Sequence, residues 1–290
     1  HSGLPEGARD RIEQLDSADQ WPMVCVQLPV RTVADTSGGS LAVHVLDGLR
    51  YIVDCARRIP YFGVDKAQEG ERKFTDNSVV VNVSYGSLGG GHDGSSILEE
   101  AIQQLVDESS MPLWVVLAAG NAHRAAAHAS VELTPNECKD FAWHVGADNP
   151  LESYLELWLP DRDVYGKVLP DGVAQQIRVQ VQPPAGPPLV MARVGEVHRL
   201  GRRVAGDAAA GVTVAAVIYA RHVAQSKHGT MILLAAGPTR VNGPAGAPSA
   251  TAPHGEWIVS VYWEGCGDGS AGPRLAIHAW TERNDLVFGT

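Results

Sequence analysis

The segment VVVNVSYGSLGGGHDGSSILEEAIQQLVDESSMPLWVVLAAGN, Val79–Asn121, decides how this sequence is read. Val79–Tyr85 is apolar on both faces, the pattern of a buried parallel strand. A glycine turn follows, and then Ile97, Ala101, Ile102, Leu105 and Val106 recur at helical spacing. Ser95 or Ser96 stands where a helix cap belongs, and Glu99 and Glu100 place negative charge at the positive end of the helix dipole. Leu113–Ala119 is a second apolar strand, and it ends on Ala-Ala-Gly-Asn.

Upstream, Arg9–Leu15 reads as a short polar helix and Met23–Leu28 as a short strand before Pro29. Leu41–Ile59 carries Val45, Leu46, Leu49, Ile52, Val53 and Ala56 on one helical face and stops at Pro60. Alternating strands and helices predict a parallel sheet flanked by helices, an α/β domain over residues 1–135. Near Cys138 the texture changes. Phe141–Val145, Tyr154–Trp158, Gln176–Gln182, Leu189–Val194, Val212–Tyr219, Thr230–Ala235, Trp257–Trp263 and Leu275–Trp280 read as short strands. The turn-rich links Pro183–Pro188 and Asn242–Gly255 separate several of them. Residues 136–290 are therefore expected to form an antiparallel β-sandwich or jelly roll, its core filled by Trp143, Trp158, Trp257, Trp263 and Trp280.

The composition sets bounds on function. Hydrophobic residues make up 44% and charged residues 19% of 290, which suits a folded chain and excludes a disordered one. No window reaches the roughly 18 apolar residues of a membrane span. A net charge of −10 without a basic patch argues against nucleic acid as a partner. No signal peptide is visible, and the compartment, secreted or cytoplasmic, stays open. Cys25, Cys55, Cys138 and Cys266 are too widely spaced for a zinc site and fit either thiols or disulfides. No metal and no cofactor are called for. The glycines of Gly86–Gly94 could cradle a phosphate, but no Walker-type lysine follows them. His92 with Asp93, and His123 with His128, read as solvent-facing loop residues.

Asn82-Val83-Ser84-Tyr85-Gly86, then a small-residue loop and helix, then Val115-Val116-Leu117-Ala118-Ala119-Gly120-Asn121, resembles the oxyanion-hole half of the subtilisin-like serine peptidases. The upstream helix Leu46–Ala56 is similar to the one before this strand in that family, so the resemblance covers Leu41–Asn121. It implies a partial subtilisin-like α/β domain with a β-sandwich inserted after it. It also implies serine endopeptidase activity, with the Asn121 carboxamide donating to the oxyanion. Ala118, Ala119 and Gly120 would line one wall of the substrate pocket. Ser84, Tyr85 and Gly86 would form the other wall and an edge to which an extended substrate adds as a strand.

The rest of the family's triad does not match. Asp35, His44 and Ser249 stand in the right order, yet Val-Leu-Asp-Gly follows His44 and a strand-like GEWIVSVYW follows Ser249. The catalytic Asp, His and Ser are therefore assigned to polypeptide outside this chain. The expected partners are a peptide or protein substrate and the remainder of a parent peptidase. The alternative is a non-catalytic peptide- or partner-binding protein on the same fold.

Overall fold

The computed structural model describes residues 23–29, 41–58, 78–86, 88–94, 96–120, 125–169, 173–191, 193–203, 211–221, 230–240, 251–264 and 273–281. The chain divides into two compact units. One comprises His1–Arg31, Gly39–Gly86 and Leu98–Ala119, the other Thr32–Gly38, Ser87–Ile97 and Gly120–Thr290.

The first unit holds helix α1 (Leu41–Arg58), strand β1 (Val79–Val83), helix α2 (Ile97–Asp107) and strand β2 (Leu113–Leu117). Leu41, Val45, Leu49, Val53 and Ala56 recur on one face of α1 and are buried, and Arg57 and Arg58 complement the negative end of its dipole. Gly48 lets the segment 23–29 come close, since a Cβ there would lie 3.1 Å from Val26 Cγ1. β1 and β2 pair in parallel, Val79 opposite Leu113 through Val83 opposite Leu117. Val79, Val81 and Val83 join α1, Ile102, Met111 and Leu113 in one small core.

Several expectations are corrected here. The chain is not an α/β protein: among the described residues there are two α-helices and one two-stranded parallel sheet, and the remaining sheets are antiparallel. The class is β-rich, because the chain's apolar residues repeat mostly with period two. β1 and β2 are not buried on both faces either, since Val80 is 69% and Trp114 54% exposed. Met23–Leu28 forms no strand. Met23, Cys25 and Val26 are exposed, and Leu28 packs on the small core. Ile97 is exposed rather than on the buried face of α2. The helix expected at Arg9–Leu15 and the cap residue Ser95 lie outside the described residues. No helix among the described residues is long and apolar enough to cross a membrane.

The second unit contains β3 (His128–Leu133), β4 (Cys138–Val145), β5 (Ser153–Leu159), β6 (Ile177–Gln182), β7 (Leu189–Met191), β8 (Val197–Arg203), β9 (Gly211–Arg221), β10 (Thr230–Ala236), β11 (Gly255–Trp263) and β12 (Leu275–Thr281). They make a six-stranded sheet in the order β3-β12-β5-β10-β9-β8 and a four-stranded sheet in the order β4-β11-β6-β7. β3 and β8 had not been expected as strands. HASVEL sets His128 and Glu132 on its outward side and VHRLGRR holds a histidine and three arginines in seven residues, which weakens the apolar signal of these two edge strands.

Strict alternation builds this unit. β5 and β10 each bury every second residue, and the inward sets of both sheets share one core. Leu157 lies at its centre, fully buried between Ile232 of β10 and Ala279 of β12. Trp143 and Trp257 pair across β4 and β11, with ring centroids 5.7 Å apart. Polar groups that enter the core are satisfied across it. Tyr219 Oη of β9 donates to the Ile177 carbonyl at 3.4 Å, and Trp143 Nε1 donates to Thr281 Oγ1 at 3.2 Å. Burial, then the nearby Glu196 charge, push the Tyr219 phenol well above its ordinary value. Trp158 and Trp280 lie half-buried on the outer face of the larger sheet, not in the core.

The turn from β3 to β4 is fixed by Glu137, whose carboxylate accepts from Thr134 N and Oγ1, both at 3.0 Å. With Lys139 Nζ 2.6 Å away, the carboxyl falls from 4.5 to about 2, chiefly through the Lys139 hydrogen bond and then those of Thr134. The folded value is depressed. The stabilisation is therefore present above pH 4.5 and is lost as the pH falls through about 2. A carboxyl-carbon NMR titration should place the Glu137 midpoint near that value, and an unshifted midpoint would refute the turn's geometry. Replacing Leu157 by Ala should destabilise the unit by about 2–5 kcal/mol in urea unfolding. A loss under about 1 kcal/mol would mean that Leu157 is not in a close-packed interior.

Candidate functional site

The two segments expected to form a substrate groove follow directly on the paired ends of β1 and β2. Because Val83 is in register with Leu117, the main chain beyond each strand continues side by side. Ala118 N donates to the Val83 carbonyl at 3.3 Å, and a Cβ on Gly86 would lie 3.5 Å from the Ala118 carbonyl oxygen. Ser84, Gly86, Ala118, Ala119 and Gly120 are exposed. Tyr85 is half-buried against the core formed with α1, so part of its ring serves packing. Ser84 Oγ accepts from Asn82 Nδ2 at 3.2 Å, a contact the sequence reading had not considered. Gly120 has φ +83°, a left-handed conformation that an L side chain strains to adopt.

Asn121 itself lies outside the described residues, as do Asp35, His123 and Ser249. His44 is exposed on α1. Among the described residues, no cluster of three or more His, Cys, Asp or Glu is arranged to hold a metal. Cys25, Cys55 and Cys138 are free thiols, and burial first, then Asp140, push the Cys138 thiol up.

A second constellation was missed from sequence. On the outer face of the larger sheet, Trp280 is in register with both His128 and Glu156. His92 stacks on the Trp280 indole at 3.9 Å and so does His128, also at 3.9 Å. His128 Nε2 and His278 Nδ1 are hydrogen-bonded at 3.0 Å. Glu156 Oε2 accepts from Gly90 N at 2.7 Å and from Trp158 Nε1 at 2.9 Å. The glycine turn thus already serves an internal carboxylate, which removes one of the amides a phosphate would need. The alternation of LAIHAW does put His278 and Trp280 on one face. His128 and His92 were out of reach because the first was read as a loop and the second lies far off in sequence.

No family model matches this chain, and no curated protein matches it. Among solved structures, the chain is similar to the Clostridium perfringens CspB protease, with a TM-score of 0.54 and 18% identity over 83% of this chain. That likeness shows the fold alone. The chain spans 40% of that protein's length. The resemblance of Leu41–Asn121 to the subtilisin-like serine peptidases is therefore corrected. With no matching family model and only 18% identity to a solved structure, it does not amount to membership of that family.

If Gly120 turns the chain after β2, replacing it by Ala should cost about 1–2 kcal/mol of stability, measured by urea unfolding. An added Cβ meets nothing within 4 Å, so the whole effect would be backbone strain. An unchanged midpoint would place Gly120 in an ordinary conformation.

Proposed function

We propose that this chain is part of a protease that hydrolyses peptide bonds by attack of a serine, with the Asn121 side-chain amide stabilising the oxyanion. The observation that supports this reading best is the in-register parallel pair β1–β2, after which Ser84, Gly86 and Ala118–Gly120 are exposed small residues and Tyr85 is half-buried. In this reading an extended peptide lies along Ser84–Gly86 as an added strand, with Ala118, Ala119 and Gly120 leaving room for a side chain beside it. Asn121 follows immediately in sequence, and its amide N–H would meet the charge that builds on the carbonyl oxygen as the tetrahedral intermediate forms. The serine, histidine and aspartate belong, in this proposal, to polypeptide outside this chain. The fold's similarity to the CspB protease supports peptide-bond hydrolysis as the reaction class.

In the intact parent protein, Asn121→Ala should lower kcat by roughly 100-fold or more, the size of effect such donors have in serine proteases, with a smaller change in KM. A kcat that does not move would take Asn121 out of the mechanism. A parent that binds extended peptides and never cleaves them would be a non-catalytic binder.

A further inference from the structure

We propose that His128 and His278 form a two-histidine site for a divalent late transition-metal ion, copper(II) or nickel(II), on the outer face of the six-stranded sheet. Their ring nitrogens already lie together, with His128 Nε2 3.0 Å from His278 Nδ1, and both residues are exposed. Neutral imidazole is a good ligand for copper, nickel and zinc.

The separation selects among these ions. Metal–nitrogen bonds run to about 2.0–2.1 Å, so two nitrogens at right angles on one ion stand about 2.8–3.0 Å apart, and at the tetrahedral angle about 3.3–3.4 Å apart. The observed 3.0 Å matches the right-angled pair of a tetragonal copper(II) or nickel(II) ion better than the tetrahedral pair of zinc(II). Among the described residues no third His, Cys, Asp or Glu completes the set, so water fills the remaining positions.

Binding exchanges one hydrogen bond for two metal–nitrogen bonds. The ring planes lie within 11° of each other with centroids 5.3 Å apart, so the two nitrogens meet end to end. To converge on an ion, both rings tilt toward solvent. The hydrogen between them moves to the other nitrogen of the ring that donated it. Two neutral rings therefore take up the ion without net loss of a proton.

The strand pairing creates the site. Trp280 is in register with His128, and His278 with Ser130, so the two histidines are diagonal neighbours on one face of the antiparallel pair β3–β12. Six consecutive pairs, from Leu275 opposite Leu133 to Trp280 opposite His128, hold that register, and β5 holds β12 on its other side. The Trp280 indole stacks on the His128 ring at 3.9 Å and limits its rotation. Once one ring has bound the ion, the second binds it intramolecularly, so the pair outcompetes a solitary surface histidine.

Titrating the whole chain with copper(II) at about pH 7.5, where an ordinary imidazole is mostly neutral, tests this, because the paramagnetic ion broadens nearby amide NMR signals. The amides of His128, Ser130 and His278 should vanish at a copper concentration at least roughly tenfold below the one that removes the amide of His144, an exposed histidine that faces Glu256 across β4 and β11. His128→Gln and His278→Gln should each raise the copper needed at the first face by at least roughly tenfold, with the β10 amides unshifted as the sign of an intact sheet. Equal copper sensitivity at the two faces of the unaltered protein would overturn the proposal, whether or not the variants fold. So would a folded variant that takes up copper at the His128 face as readily as the unaltered chain.

Discussion

The second unit rests on a single constraint: two antiparallel sheets must each present an unbroken apolar face to the other. Every inward position of β5 and β10 is buried, as are those of β11 from Trp257 to Trp263, and Leu157, Val259 and Ile232 are fully closed to solvent. Because the side-chain period in a strand is two, a slip of one residue would turn this whole set outward, so the core fixes the register of every pairing. The same constraint explains the polar ties across the interior. Tyr219 and Trp143 are large enough to fill the space between the sheets but bring a hydroxyl and an indole N–H with them. Each therefore reaches an acceptor on an element of the opposite sheet.

The first unit obeys a different rule. Its parallel pair is too short to build a core by itself and depends on α1, whose buried stripe meets Val79, Val81 and Val83. One face of the pair and the main chain beyond its carboxyl ends are left exposed, and that exposure makes the Ser84–Gly86 and Ala118–Gly120 segments candidates for chemistry. Parallel strands direct consecutive chain ends to the same side, so residues 30 or more apart in sequence can share one small region.

On the larger sheet the outward set has a role of its own. Alternation that sends Leu155, Leu157, Ile277 and Ala279 into the core necessarily sends Glu156, Trp158, His278 and Trp280 out. There they meet His128 across β3 and the segment Leu88–Gly94 from far upstream. The glycines that looked like a phosphate cradle serve a carboxylate from the protein itself.

Much of the strand content was legible in the sequence, because period-two alternation in stretches such as SYLELWL and GEWIVSVYW is a local property that burial simply enforces. The helices Leu41–Arg58 and Ile97–Asp107 were legible for the same reason at period 3.6. The sequence could not say which strands pair. Nor could it say that Val80 and Trp114 face outward, or that HASVEL closes a sheet beside the last strand, β12. Those outcomes depend on partners tens to hundreds of residues away. Only tertiary structure brings His92, His128, Glu156 and Trp280 together, because contacts between distant residues leave no periodic trace in the chain that carries them.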